Sequence, residues 1–274
     1  MEVSNMEYFD VPALNHSSLL DYKNKGLSGF WKNTAFNPKR KKDEGSDAFL
    51  MGTLLHTLLL EPEKEKDILV YDYGKSIINK KYKEFQNDNQ GKLIVNPEMM
   101  TKASALIQTL IDSKVWKNLV KDCKIISREQ PIYFDYWGMP CKIKPDMLLK
   151  RKNGTYLIID YKSTDDMQRV LRFSESLGYD IESALYRLGV SISYGVPLDD
   201  VDFVFVIQDK SEDRNICPAR YSLAHENFMI EWIKSTIEYL GLYLAEFSKT
   251  KDDLAFLQPK DGEVLEFITM NREE

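Results

Sequence analysis

Two aspartates and a lysine within residues 141–164 have the types and spacing that phosphodiester chemistry needs. Asp146 precedes an Asn-Gly pair, and Asp160 and Lys162 follow it at the end of an apolar run. Carboxylate oxygens are the ligands that Mg²⁺ prefers, and an ammonium group can stabilise the charge that develops on a phosphate. These residues therefore indicate a divalent-metal site. The alternative is an ion pair between Asp160 and Lys162 at a strand end, which the spacing alone favours.

A β-hairpin would bring these groups together. Two strand-like runs, residues 142–150 and 156–162, flank the sequence Lys152-Asn153-Gly154. An Asn-Gly pair accepts the positive φ angles of a tight turn. Because side chains alternate between the faces of a strand, the second aspartate and the lysine would share one face, with the first aspartate alongside them.

The hairpin resembles the signature of the PD-(D/E)xK nucleases. Pro145-Asp146 followed by Asp160-Tyr161-Lys162 matches that pattern, and Asp-Tyr-Lys before Ser or Thr is similar to the RecB-like branch of the superfamily. The resemblance implies that Asp146 and Asp160 are the principal metal ligands and that the backbone carbonyl of Tyr161 is a further one. It also implies Lys162 as the catalytic lysine and Mg²⁺ as the metal, with Mn²⁺ able to substitute.

A leucine-rich helix is predicted for residues 47–61, with Ser46 or Asp47 as its N-cap and Pro62 after its end. Apolar side chains cover most of its circumference. The exception is one narrow stripe of small or polar residues, formed by Gly52, Thr53, His56 and Thr57. His56 could face a metal or a carboxylate from this stripe, whereas a hydrogen-bonded core histidine is the simpler explanation of the residue alone.

Residues 51–62 resemble the histidine helix of RecB-like nucleases and are particularly similar to RecE-type exonucleases, also called exodeoxyribonuclease VIII. In that family the histidine joins two acidic residues around the metal, which implies His56 as an additional metal ligand. Residues 14–20 also look like the opening helix of the family, in a looser match.

Three other polar residues are candidates for contacts with DNA or for support of the metal ligands. Glu129 stands one strand before the hairpin, where many RecB-like nucleases carry a glutamate, and Glu182 and Tyr186 are four residues apart on a predicted helix. RecB-like nucleases commonly have Gln-x-x-x-Tyr there, so Glu182 departs from the pattern and puts an amide hydrogen bond to phosphate in doubt. Glu129 could also face the metal itself, and Glu182 could instead hold a metal-bound water or a basic neighbour. The alternatives are a strand-edge glutamate at 129 and a surface glutamate at 182.

A basic run follows the aromatic pair Phe30-Trp31. It consists of Lys39, Arg40, Lys41 and Lys42. Basic and aromatic residues close together could follow a phosphate backbone and stack on unpaired bases. A solvated loop is the more common explanation of four like charges, so both interpretations stay open.

The composition limits the classes of protein to which this chain could belong. The chain has 274 residues, a net charge of −6, and three widely separated cysteines that indicate neither a disulfide framework nor a metal knuckle. We find no secretory signal, no apolar run long enough to cross a bilayer and no GxxxxGK phosphate loop. A cytoplasmic protein that uses neither membrane nor ATP is expected. The resemblance to RecE-type enzymes implies a bacterial cell and a phage or prophage origin. The net charge neither supports nor excludes DNA binding, since binding depends on local charged patches.

The alternation of helical and strand patterns predicts an α/β fold, and the resemblance makes it a restriction-endonuclease-like core with a central mixed sheet flanked by helices. We expect residues 1–274 to form a single nuclease domain. Its parts would be a helical region at about 13–122, a catalytic sheet at about 124–225, and a C-terminal helix and tail at 226–274.

The resemblance to RecE-type enzymes implies a function. It implies digestion of linear double-stranded DNA from its ends, 5′ to 3′, leaving 3′ single strands for recombination with a single-strand annealing protein. A ring-shaped homo-oligomer is implied as well. The alternatives are a RecB-like nuclease of other polarity, as in CRISPR adaptation, a flap endonuclease, or a non-catalytic DNA-binding protein that retains the fold.

Overall fold

The computed structural model describes residues 5–41, 47–74 and 80–250. The helices, numbered in chain order, are α1 (Asn5–Asp10), α2 (His16–Asn33), α3 (Asp47–Leu60), α4 (Lys80–Asp88), α5 (Pro97–Asp112), α6 (Lys114–Val120), α7 (Met167–Phe173), α8 (Tyr179–Tyr194) and α9 (Leu223–Thr250). The strands are β1 (Ile68–Val70), β2 (Leu93–Val95), β3 (Cys123–Arg128), β4 (Ile132–Tyr136), β5 (Met139–Ile143), β6 (Met147–Arg151), β7 (Tyr156–Thr164), β8 (Val201–Asp209) and β9 (Ile216–Ala219). Short 3₁₀ helices lie at Pro62–Asp67 and Leu198–Asp200.

A mixed sheet forms the centre of the described part of the chain. Its five strands lie in the order β3-β6-β7-β8-β9, with β7 and β8 parallel and the other neighbours antiparallel. Strand β7 is central, since its first six residues are all buried. The predicted α/β fold with a mixed central sheet flanked by helices is confirmed.

Alternation along β7 explains why helices cover both faces of the sheet. Leu157, Ile159 and Tyr161 belong to a core cluster that includes leucines of α3 and α5. Ile158, between them in the sequence, belongs to a second cluster with residues of α8 and α9. Each fully buried side chain of this size stabilises the fold by about 1.5–3 kcal/mol. None of the helices in the described ranges is long and apolar enough to cross a membrane.

The predicted hairpin is present, but its first strand is shorter than the sequence suggests. Residues 142–150 are divided between two strands, because β5 ends at Ile143 and pairs with β4, and β6 begins only at Met147. Pro145 lies in the connection, and a proline has no N–H to continue a ladder of hydrogen bonds. The break places Asp146 directly before the first residue of β6.

The turn between β6 and β7 is a loop rather than a two-residue turn. Arg151 N–H donates to Thr155 O at 2.8 Å, and Gly154 N–H donates to Arg151 O at 3.0 Å. Gly154 alone takes a positive φ here, of 92°, and the Asn153 side chain instead accepts from Thr155 N–H at 3.1 Å. Glycine suits this position because it carries no Cβ.

Other helix boundaries differ slightly from the sequence pattern. Apolar residues recur at helical spacing over residues 97–121, but Ser113 ends α5 and caps α6 by accepting from Trp116 N–H at 3.0 Å. Gly178 has a φ of 79° and lies just before α8. Ser46, a candidate cap of α3, and most of the C-terminal tail lie outside the described residues.

Candidate active site

Asp146 is fixed across the hairpin by the backbone of β7. Its Oδ2 accepts a hydrogen bond from Tyr161 N–H at 2.7 Å, and its side chain is buried. The bond joins two residues that are adjacent only because β6 pairs with β7. Oδ1 of Asp146 therefore remains available to other partners.

His56 reaches this carboxylate from α3. Its Nδ1 lies 3.4 Å from Asp146 Oδ1 and 3.0 Å from Glu129 Oε1, while its Nε2 lies 3.2 Å from the carbonyl oxygen of Tyr161. One donor atom each from His56, Glu129 and Asp146 lies within 4.8 Å of the other two. His56, on the polar stripe of the leucine-rich helix, therefore faces a cluster of acidic residues.

Glu129 has an unusual backbone conformation. Its φ is 49°, in the left-handed region that a residue with a Cβ rarely adopts, and its N–H donates to Asp146 O at 3.1 Å. Strain of this kind costs on the order of 1 kcal/mol and concentrates at functional sites. Its Oε2 contacts the ammonium group of Lys144, so both carboxylate oxygens have a partner.

Lys162 lies between two buried carboxylates, those of Asp160 and Glu182. Its Nζ lies 2.7 Å from Asp160 Oδ1, and 3.0 Å and 3.2 Å from the two oxygens of Glu182. The ion pair that the sequence offered as an alternative is thus present, within a larger cluster. In this conformation the described residues that could share one ion are His56, Glu129 and Asp146, and Asp160 is not among them.

The pKa values reflect this crowding of charge. Burial, together with the neighbouring carboxylates, raises the pKa of Asp146 and that of Asp160 to about 7. Burial opposes protonation of His56, but Asp146, Glu129 and Asp160 outweigh it and raise its pKa to about 9. Burial likewise opposes the charge of Lys162, and Asp160 and Glu182 raise its pKa well above the usual value. Such a cluster is stabilised by binding protons or a cation.

The donor set fits a divalent cation. Carboxylate oxygens from Glu129 and Asp146 and an imidazole nitrogen from His56 lie close together, and the carbonyl of Tyr161 is beside them. Oxygen donors suit Mg²⁺ and Mn²⁺, and an imidazole is accepted by the latter more readily. Of the predicted ligands, the structure brings together His56, Asp146 and the Tyr161 carbonyl, with Asp160 beside them against Lys162.

The remaining candidates lie in different places. Tyr186 is buried on α8, with its ring centroid 6.0 Å from that of Phe203. Arg40 is engaged by α1, because its guanidinium donates to Asp10 Oδ1 at 2.7 Å and to the carbonyl of Phe9 at 2.8 Å. Lys39 and Lys41 are exposed, and Lys42 lies outside the described residues.

Sequence reasoning missed two residues at the site. Lys144 stands two positions before Asp146, and this spacing could have placed it on the same side of the chain. His16, at the start of α2, has its Nε2 3.9 Å from Glu182 Oε1. Nothing local in the sequence relates His16 to Glu182, since they meet only through the packing of α2 against α8.

Comparisons with known proteins agree with the fold. A family model described as a PDDEXK-like domain of unknown function, DUF3799, matches residues 31–243. A crystal structure from Eubacterium rectale, described as a "Putative exonuclease", is 14% identical, covers 87% of this chain and 85% of its own, and has a TM-score of 0.57. At that identity the likeness concerns the fold alone.

A second crystal structure, that of SSO0001, is 12% identical and covers 70% of this chain and 85% of its own. Its TM-score of 0.30 is too low to support an argument. Among curated proteins, no sequence matches this chain.

Proposed function

The chain belongs to the DUF3799 family of PDDEXK-like domains, and from this we propose that it is a divalent-metal-dependent nuclease that degrades DNA from its ends. The observation that carries the proposal is the convergence of His56, Glu129 and Asp146, whose donor atoms lie within 4.8 Å of one another. Lys162 pairs with Asp160, with Nζ 2.7 Å from Oδ1. Fold alone would not suggest an activity, so the site must do so.

The residues of the site would have different roles in hydrolysis. His56, Glu129 and Asp146 would hold the cation, with the Tyr161 carbonyl and Asp160 beside it. We propose Mg²⁺, with Mn²⁺ able to replace it. When bound, such an ion activates water and stabilises charge on the leaving oxygen.

Lys162 supplies a fixed positive charge next to the metal ligands. Asp160 and Glu182 keep its ammonium group protonated and restrict its direction. It would orient the attacking water or stabilise the charge that develops on the phosphate. Removing one preorganised group of this kind typically costs about 10² to 10³ in rate.

The finer assignment is a RecE-type exonuclease acting 5′ to 3′ on linear duplex DNA. The similarity of residues 51–62 and of Asp160-Tyr161-Lys162 to that family supports it. The same similarity supports a 3′ single-stranded product, a single-strand annealing partner, a ring of identical subunits and a bacterial host. From the composition we further propose a single nuclease domain that acts in the cytoplasm.

Digestion of an end-labelled linear duplex tests the proposal. We expect label to be released from wild type in Mg²⁺ but not in EDTA, and Lys162→Ala to be slower by about 10² to 10³. Lys124→Ala, a change at an exposed lysine of β3, serves as the matched control. Covalently closed circles should survive. Cutting of circles would indicate an endonuclease, and undiminished activity of Lys162→Ala would refute the mechanism.

A further inference from the structure

Helix α2 is anchored on the start of α8 by contacts that do not involve the active site. Lys23 Nζ lies 2.7 Å from Asp180 Oδ2, a carboxylate that is almost fully buried. Leu20 packs against Gly178 so closely that an added Cβ would lie 2.8 Å from its Cδ2 atom. These two contacts hold the helix, and residues 16, 20 and 23 share one helical face.

His16 stands on that face at the edge of the active site. Its side chain is 31% exposed, and its Nε2 lies 3.9 Å from Glu182 Oε1 and 3.2 Å from the hydroxyl of Ser17. The ring meets that of Tyr186 edge-on, with centroids 6.1 Å apart. The imidazole is therefore fixed in place and still reachable from solvent.

Glu182 connects His16 to the catalytic lysine. The same carboxylate whose Oε1 approaches His16 has both oxygens within 3.2 Å of Lys162 Nζ. Lys162 in turn touches Asp160. His16 is consequently the outermost of four side chains that lead from solvent towards the metal ligands.

The chemistry of His16 suits a hydrogen bond to a phosphate oxygen. Burial and the charge of Lys162 lower its pKa to about 3, so the ring is neutral and has one N–H to donate. A neutral donor beside an ammonium group can bind a phosphate oxygen without adding a charge for the lysine to repel. A nucleic-acid strand that presents one phosphate to Lys162 carries its next phosphate nearby.

We propose that His16 donates a hydrogen bond to a DNA phosphate adjacent to the one that Lys162 faces, and thereby positions the strand for cleavage. The inference rests on the proposed nuclease function. His16 lies outside residues 31–243, which the family model matches.

The test compares His16→Ala and His16→Gln with wild type on a fluorescein-labelled linear duplex. Binding is measured by anisotropy in EDTA, and KM and kcat are measured in Mg²⁺. We expect His16→Ala to raise Kd and KM about 10-fold, with kcat within about 3-fold and an unchanged melting temperature. Glutamine, which keeps an N–H donor, should restore most of the affinity.

Leu20→Ala is the control that distinguishes a role of His16 in positioning the DNA strand from a role in holding helix α2. It weakens the packing of α2 on α8, so it should lower the melting temperature without changing KM of the folded enzyme. The proposal is wrong if His16→Ala binds and cleaves as wild type does, or if it behaves as Leu20→Ala does and glutamine does not rescue it. If wild type neither binds nor cleaves the duplex, the nuclease function itself is wrong.

Discussion

His56 Nδ1 lies 3.0 Å from Glu129 Oε1, although 73 positions separate the two residues in the chain. The contact joins α3 to the residue that follows β3, the strand that pairs with β6 of the hairpin. Glu129 is directed towards His56 by Lys144 on its other oxygen and by the bond from its own N–H to Asp146 O. The sequence left open whether this glutamate faces the metal, supports its ligands or only ends a strand, and the structure places it with His56 and Asp146.

Glu129→Gln removes one negative charge from the metal-facing group and keeps the size of the side chain. We expect the rate of DNA digestion at saturating Mg²⁺ to fall by about 10² to 10³, because the cation loses a charged ligand. A time course with the end-labelled duplex measures the change. Unchanged digestion by the variant would mean that Glu129 only supports the strand end.

Lys144→Met tests whether the lysine directs Glu129. Loss of a group that orients a metal ligand typically weakens metal affinity by about 10- to 100-fold. We therefore expect the Mg²⁺ concentration for half-maximal rate to rise by that factor, with Lys144→Arg closer to wild type. Lys124→Met is the matched control on an exposed lysine. The same Mg²⁺ requirement in Lys144→Met as in the control would exclude this role.

Lys142 should make the stability of the protein depend on pH. Its side chain is buried, its Nζ donates to the carbonyls of Tyr8 and Val11 at 2.7 Å, and burial lowers its pKa from 10.5 to about 8. Between these values the unfolded chain binds more protons than the folded one, so the free energy of unfolding rises with pH.

Urea unfolding at pH 8 and pH 10 measures this effect. Wild type should gain stability over that interval relative to Lys142→Met, which lacks the titrating group. Other groups titrate in both proteins, so only the difference between them counts. An identical pH dependence in the two proteins would show that Lys142 keeps its ordinary pKa in the folded state.

Arg187 and Glu226 form a buried ion pair between α8 and α9, away from the metal-facing group. Arg187 Nη1 lies 2.5 Å from Glu226 Oε2, and its Nε donates to Val201 O at 2.6 Å. Arg187→Met should lower the free energy of unfolding by about 3–5 kcal/mol, because it leaves a buried carboxylate unpaired. Chemical denaturation measures this.

Adding Glu226→Leu to Arg187→Met should recover much of the loss, since the unpaired charge is then removed as well. The two-residue variant is the control for the single change. A single variant as stable as wild type would mean that the pair is not buried in solution.

Local patterns were sufficient to predict the hairpin and the histidine helix. Short apolar runs, an Asn-Gly pair and a leucine-rich run of helical length are signals carried by neighbouring residues. For this reason β7 and α3 lie close to their predicted positions. Asp160 and Lys162 share a face as expected, because alternation along a strand depends on the backbone alone.

Tertiary contacts account for what the sequence did not show. The interruption after Ile143 depends on the pairing of β5 with β4. The position of Glu129 depends on its own left-handed backbone conformation and on the hydrogen bond from its N–H to Asp146 O. Arg40 looked like part of a DNA-binding run, yet it pairs with Asp10, 30 positions away. Partners this distant in sequence leave no local pattern.

Binding of Mn²⁺ to the purified chain, measured by isothermal titration calorimetry, tests the central claim most directly. We expect wild type to bind the ion and Asp146→Asn to bind it at least about 10-fold more weakly, since a charged ligand of the cation is lost. Asp122→Asn, at an exposed aspartate paired with Lys152, should bind it as wild type does. Equal Mn²⁺ affinity in wild type and Asp146→Asn would contradict the assignment of His56, Glu129 and Asp146 as a metal site.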